Sequence, residues 1–169
     1  MFGRTGMQPL EQNYVKTGKV SYEFREFFVH GAPDVPFGLL GTCAGPAPFF
    51  GLLEQMYQAQ EGFEKKLMDQ TATNALQTKL ANATPLQSAQ AWADYMGVVD
   101  FVKQRGIPEA QARACLSNQK ELERLTSVMQ DGSQNKGVNG TPSFFLNGKQ
   151  LDSVVEWSTL EQALKQAGA

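Results

Sequence analysis

Gly137-Val138-Asn139-Gly140-Thr141-Pro142-Ser143-Phe144-Phe145-Leu146-Asn147-Gly148-Lys149 is the stretch from which the fold is read. A small Gly-Thr lead-in enters Pro142, four strand-forming residues follow, and Asn147-Gly148 closes the run. Asn-Gly tolerates the positive φ angles of a type I′ turn, so the segment predicts a tight sheet hairpin. Its first backbone bend is fixed by Pro142, whose ring locks φ. Two geometries are open to that proline. A trans proline can start an edge strand, and a cis peptide costs proline only about 0.5–1 kcal/mol over trans.

Outward from the hairpin the pattern becomes helical. Ser158-Thr159-Leu160-Glu161 fits a capping box and predicts a closing helix with Leu160, Ala163 and Leu164 inward. Ahead of the hairpin, Leu122, Leu125 and Met129 mark a helix from about Lys120 to Asn135. The residues between Phe37 and Gly137 show almost no period-two pattern, which predicts a helical insertion. Phe49, Leu52, Leu53, Met56 and Tyr57 lie on one side of a helix, as core rather than as a ligand pocket. Thr84-Pro85 is a cap followed by proline at the first helical position, with Leu86, Ala89, Trp92, Tyr95 and Met96 as the buried stripe. Gly106 ends one helix, and Pro108 starts the next, which runs to Cys115 and Leu116.

Nearer the start, Met7 to Val15 reads as a helix that stops at Thr17-Gly18, where glycine can take a left-handed cap. From Lys19 to Phe28 the period changes to two. Val20, Tyr22 and Phe24 fall on one face and Ser21, Glu23 and Arg25 on the other, which predicts a strand. Gly31 to Pro36 reads as a connecting loop. The whole predicts an α/β fold: a small sheet domain over 1–36 and 126–169, interrupted by an all-helical subdomain over 37–125.

The 169 residues are 41% hydrophobic and 19% charged, with a net charge of −2. That composition is globular and offers no basic field to a nucleic-acid backbone. Apolar runs such as Phe49 to Leu53 are too short to cross a bilayer, and no charged-then-apolar signal peptide opens the sequence. His30 is the only histidine; beside Gly31 in a loop it reads as solvated, and scattered carboxylates show no metal-ligand spacing. Glu23 and Arg25 read as a solvated face or a local pair, and Trp157, like Trp92, as core. Cys43 and Cys115 lie on no Cys-x-x-C motif, and free buried cysteines often act only as small apolar residues.

The order of these elements, with Thr17-Gly18-Lys19-Val20-Ser21-Tyr22-Glu23-Phe24-Arg25 and Gly140-Thr141-Pro142-Ser143-Phe144-Phe145-Leu146-Asn147-Gly148-Lys149, resembles the DsbA-like branch of the thioredoxin superfamily. Cys43-Ala44-Gly45-Pro46 and Ala114-Cys115-Leu116 are similar to segments of its bacterial envelope members. The resemblance implies a thioredoxin-like sheet domain and a cis proline at Pro142. It also implies a polypeptide-binding loop at Gly140, Thr141 and Pro142, where Thr141 backbone groups pair with an extended substrate. For Cys43 and Cys115 it implies a structural disulfide, with two separate thiols as the alternative. Implied partners are unfolded or cysteine-containing polypeptides and a redox partner protein, the implied compartment is the periplasm, and no cofactor is implied.

The family chemistry is thiol–disulfide exchange at a Cys-x-x-C opening the first helix, where the helix N-terminus lowers a thiol pKa. This sequence contains no such pair, so no residue of it is assigned a catalytic role. Met1 to Met7 resembles the body of that helix just past the cysteines. The expectation is therefore an N-terminally incomplete thioredoxin-like domain whose Met1 is an internal methionine of a longer protein, and which is itself redox-inactive. If the short form stands alone, it leaves an unpaired sheet edge needing a partner. A redox-silent peptide-binding or chaperone-like module is the alternative function. The glutathione-dependent isomerases, which share this architecture, are a weaker likeness because no glutathione signature is present.

Overall fold

Pro9 breaks the opening helix in two. In the computed structural model, which describes residues 2–169, α1 (Phe2–Thr5) gives way to α2 (Met7–Leu10) and then to a π-helical turn over Glu11–Val15. Pro9 has no N–H to give the Thr5 carbonyl, and its ring crowds that carbonyl, which separates α1 from α2. Leu10 and Tyr14 are buried, as their spacing predicts. Gly18 ends the run at φ +76°.

Lys19–Phe28 keeps its predicted alternation but is not a strand of any sheet. Val20, Tyr22, Phe24 and Glu26 are half-buried while Lys19, Ser21, Glu23 and Arg25 are exposed. No backbone group of Ser21–Phe27 joins a hydrogen bond among the described residues. Side-chain alternation is a property of the segment, whereas a ladder needs a neighbour, and no described strand lies alongside. The loop expected over Gly31–Pro36 is also corrected. A 3-10 turn covers Ala32–Asp34 and α3 (Val35–Gly41) already contains Pro36, at a position where its missing N–H costs nothing.

Helices α4 (Phe49–Leu67), α5 (Gln70–Lys79), α6 (Pro85–Met96), α7 (Val98–Lys103), α8 (Glu109–Cys115) and α9 (Gln119–Gln130) follow, with a π-helical turn over Asp131–Asn135. Thr84 and Gln87 form a complete capping box at the start of α6, and Gly97 at φ +76° separates α6 from α7. These helices enclose one hydrophobic cluster containing Leu39, Leu40, Trp92, Met96, Val98, Leu116 and Leu125. A second cluster gathers Phe2, Met7, Leu10, Tyr14, Leu160 and Leu164, with Val20, Tyr22 and Phe24 packed against it. Helix α4 serves both. Leu52 and Met56 enter the first cluster and Leu53 the second, because residues adjacent in a helix point about 100° apart.

The hairpin is as the sequence predicts. Strand β1 (Phe144–Leu146) pairs antiparallel with β2 (Lys149–Leu151), Phe144 opposite Leu151. Asn147 and Gly148 have φ of 51° and 81°, both positive as a type I′ turn requires. The closing helix α10 (Trp157–Gln166) starts two residues early, with Glu156 at the N-cap, so the expected capping box does not form. Ser158 falls inside the helix and its hydroxyl donates to the Glu156 carboxylate at 2.9 Å. Glu161 instead accepts the Tyr14 hydroxyl at 3.1 Å.

Close approach of α1 to α4 rests on Gly3. A Cβ there would stand 2.5 Å from Cγ of Tyr57, the fixed root of a ring rather than a movable tip. Gly3→Ala is expected to cost about 1–3 kcal/mol of overpacking, measured by urea unfolding. A stability equal to that of the wild type would show that α1 is not pressed on α4.

Candidate functional site

The loop Val138–Ser143 is anchored on both flanks and open in the middle. Val138 is buried and its N–H donates to the Gly132 carbonyl at 2.9 Å. The Ser143 hydroxyl donates to the Gly140 carbonyl at 2.7 Å. Between these ties the Thr141–Pro142 peptide bond is cis, Pro142 is half-buried and Thr141 is exposed. No hydrogen bond among the described residues involves Thr141. A peptide N–H and C=O so placed are free to pair with an incoming extended backbone.

Phe144 ties this loop to the first turn of α1. Its ring meets that of Phe2 edge-on, with centroids 4.7 Å apart and planes at 72°, a favoured geometry for an aromatic pair. Gly140, Thr141 and Pro142 thus lead into a strand that rests on the start of the opening helix. The sequence reading did not single out Phe2. An aromatic on the first helical turn was its only signal, and nothing local names Phe144 as its partner.

The opening helix is held from the other side by α10. Tyr14 packs edge-on against Trp157 at 5.8 Å, and its hydroxyl donates to Glu161, which also pairs with Lys165 at 3.1 Å. Burial, then the Glu161 carboxylate, pushes the Tyr14 phenol up. Hydrogen bonding from Lys165, opposed by burial and aided by the Tyr14 hydroxyl, holds the Glu161 carboxyl below the ordinary value of 4.5. A depressed carboxyl contributes stability that is fully present above 4.5 and lost as pH falls through its lower folded value. Glu161→Gln should therefore be less stable than wild type near neutrality and converge with it in acid. Urea titrations from pH ~6 down to ~3 measure this; a stability gap that stays constant across that range would remove Glu161 from the clamp.

Cys43 and Cys115 are joined to each other, with Cα atoms 5.8 Å apart. The bond ties the 3-10 turn Thr42–Ala44 to the end of α8, at the rim of the helical cluster. The Gln111 side-chain amide donates to the Cys43 carbonyl at 3.1 Å beside it. A sulfur in a disulfide is not a thiolate and cannot begin an exchange as a nucleophile. This bond and the Thr141 loop are not brought together: Phe144 and Leu146 pack on the second cluster, the cysteines on the first.

The remaining polar residues serve structure. The backbone N–H of His30 donates to Asp34 at 2.7 Å, and its ring Nδ1 lies 3.1 Å from the same carboxylate, which ties the turn before α3. Arg25 bonds Glu23 at 2.8 Å and Asp131 at 3.3 Å, holding the extended segment to the end of α9. Arg124 bonds Glu121 at 2.8 Å and Glu26 at 3.4 Å, a second tie between α9 and the extended segment. Burial, then Tyr57, pushes the Tyr22 phenol up to about 12, so it is neutral and no base. Among the described residues, no three His, Cys, Asp or Glu side chains are grouped to hold a metal ion. Among the described residues, no helix is long and apolar enough to cross a membrane.

A hairpin reached through a cis proline, resting on the first turn of the opening helix and closed by a C-terminal helix, is the arrangement that the sequence resemblance implied. A family model described as thioredoxin matches residues 2–166. The chain belongs to the thioredoxin family. Within that superfamily it is a DsbA-like protein, with a helical insertion in a small thioredoxin-like sheet domain. This thioredoxin-family chain is 27% identical to a protein-disulfide isomerase of Novosphingobium aromaticivorans whose crystal structure superposes with a TM-score of 0.85, covering 96% of this chain and 82% of that one. It is 24% identical over 144 residues to a Rickettsia bellii protein named as a protein-disulfide oxidoreductase, covering 85% of this chain. The chain spans 46% of that relative's length, just under half.

Proposed function

We propose that residues 1–169 are the polypeptide-binding scaffold of a protein thiol–disulfide oxidoreductase or isomerase, and that they hold no redox dithiol of their own. One observation carries this reading: the two cysteines are consumed in a bond at the rim of the helical cluster, while Thr141, in the loop that leads into the hairpin, is exposed and unpaired. Gly140, Thr141 and Pro142 are its substrate-contacting residues. Thr141 offers main-chain groups to an extended segment of an unfolded, cysteine-containing protein, which gives affinity with little sequence preference. Cys43 and Cys115 are structural, and residues 37–125 act as a helical insertion into the thioredoxin-like unit formed by 1–36 and 126–169. The names of the two relatives support protein disulfides as the chemistry. A structural disulfide within the chain favours an oxidising compartment such as the bacterial periplasm.

The same lack of a dithiol favours a second reading, a redox-silent peptide-binding or chaperone-like module. Insulin reduction by dithiothreitol tests the part both readings share. Added chain should leave the rate at background; a rate above background that disappears in Cys43→Ser or Cys115→Ser would make the Cys43–Cys115 bond catalytic and overturn the assignment. Titration with a reduced, unfolded client should shift the Thr141 and Ser143 amide resonances. Unmoved resonances with every client would remove the loop from substrate binding.

A further inference from the structure

The Gly140 carbonyl and the Thr141 N–H are the two ends of one peptide unit. That unit is trans and planar, so its carbonyl and its N–H point in opposite directions. The carbonyl end is held: the Ser143 hydroxyl donates to it at 2.7 Å, and Gly140 and Ser143 are both half-buried. The N–H end belongs to Thr141, which is exposed. In an ordinary four-residue turn the Ser143 N–H would donate to the Gly140 carbonyl. Here the Ser143 side chain is the donor, and no other reaches that carbonyl among the described residues. The grip matters because Gly140 cannot hold the plane alone. Glycine takes φ of either sign at little cost, so its own backbone preference does not keep the plane from turning over. Val138 and Phe144 fix where the loop begins and ends, not how this plane is turned.

We propose that Ser143 is a positioning residue of the substrate loop. Its hydroxyl keeps the Gly140 carbonyl turned toward Ser143 and so aims the Thr141 N–H the other way, set for a carbonyl of an extended client. This role rests on the reading of Thr141 as a client-pairing residue and adds what orients it. A donor already aimed spares the client the cost of ordering the plane on binding. The chemical requirement is narrow. Threonine keeps a hydroxyl on Cβ, whereas alanine has none. Losing the hydroxyl should cost about the worth of one neutral hydrogen bond, a weakening of about three- to tenfold in Kd. The bond spans only three residues, so its loss leaves both hydrophobic clusters in place.

A suitable probe is reduced, carbamidomethylated insulin B chain, whose blocked cysteines exclude disulfide exchange. Fluorescence anisotropy of the labelled probe gives Kd for wild type, Ser143→Ala and Ser143→Thr, and far-UV circular dichroism checks that each variant is folded. Ser143→Ala should bind about three- to tenfold more weakly, and Ser143→Thr should bind as the wild type does. Backbone NMR relaxation of the free protein reads the orientation without a client. The Thr141 N–H should loosen in Ser143→Ala and stay held in Ser143→Thr, whereas a general loss of stability would spread over the whole hairpin. Ser143→Ala binding equal to that of the wild type overturns the role, as does a Thr141 N–H equally ordered in both. Equal weakening by alanine and by threonine also overturns it, because the loss would then lie in packing and not in the hydroxyl. These three outcomes leave Thr141 as the client-pairing residue. A wild type that binds no probe overturns that reading and the Ser143 role together.

Discussion

Cys43→Ala with Cys115→Ala is expected to lower the unfolding free energy by about 4 kcal/mol, since the bond closes a loop across a sequence separation of 72 residues and loses that much chain entropy from the unfolded state. For a domain of this size the melting temperature should fall by about 8–16 °C. The effect acts on the unfolded chain rather than on contacts, so it has a second signature. A chain without the cross-link expands further when unfolded and exposes more surface, and the urea m-value should rise. Urea unfolding of the double variant, with far-UV circular dichroism to confirm unchanged helix content, measures both. A stability loss below about 1 kcal/mol would mean that the unfolded chain is already compact around these residues. Reduction of the wild type should reproduce the loss, and the Thr141 loop, which leads into a hairpin packed on the other cluster, should keep its amide resonances.

The elements legible in the sequence are those whose cause is local. Asn147-Gly148 fixes its own turn by backbone preference, Thr84 caps the helix that Pro85 begins, and Gly18 ends a helix through its own φ angle. Two of the failures involve a distant partner. Ser158 to Glu161 has the capping pattern, but Trp157 docks on Tyr14 and draws the helix start forward, so Glu161 is spent on Tyr14. Lys19–Phe28 shows its alternation plainly, yet a ladder belongs to two segments and only one is written there. Helix α5 was not singled out because it buries only Thr73, too little to make a stripe. At the candidate site, Gly140 to Pro142 is a local signal and was readable. The contact of Phe144 with Phe2 that places it joins opposite ends of the chain and was not. The Cys43–Cys115 pairing came from family resemblance, since nothing in their spacing distinguishes a bond from two thiols.

Trp92→Ala should be as costly as losing the disulfide, by a different mechanism. Trp92 is 2% exposed in the helical cluster and meets Tyr95 edge-on at 5.8 Å. Truncating a buried tryptophan to alanine leaves a cavity and costs about 3–5 kcal/mol. The sequence holds two tryptophans, one on each cluster, so the variant leaves Trp157 as the sole reporter of the second. Helix α4 contributes Leu52 and Met56 to one cluster and Leu53 to the other. Loss of α4 from its helical neighbours therefore removes a wall of the sheet-side core, and the two clusters should unfold together. Trp157 emission and far-UV circular dichroism should then give one shared, lowered midpoint in urea. If Trp157 keeps the wild-type midpoint while the helical signal falls early, α4 does not couple the clusters. The hairpin and its Thr141 loop would then stand on the second cluster alone.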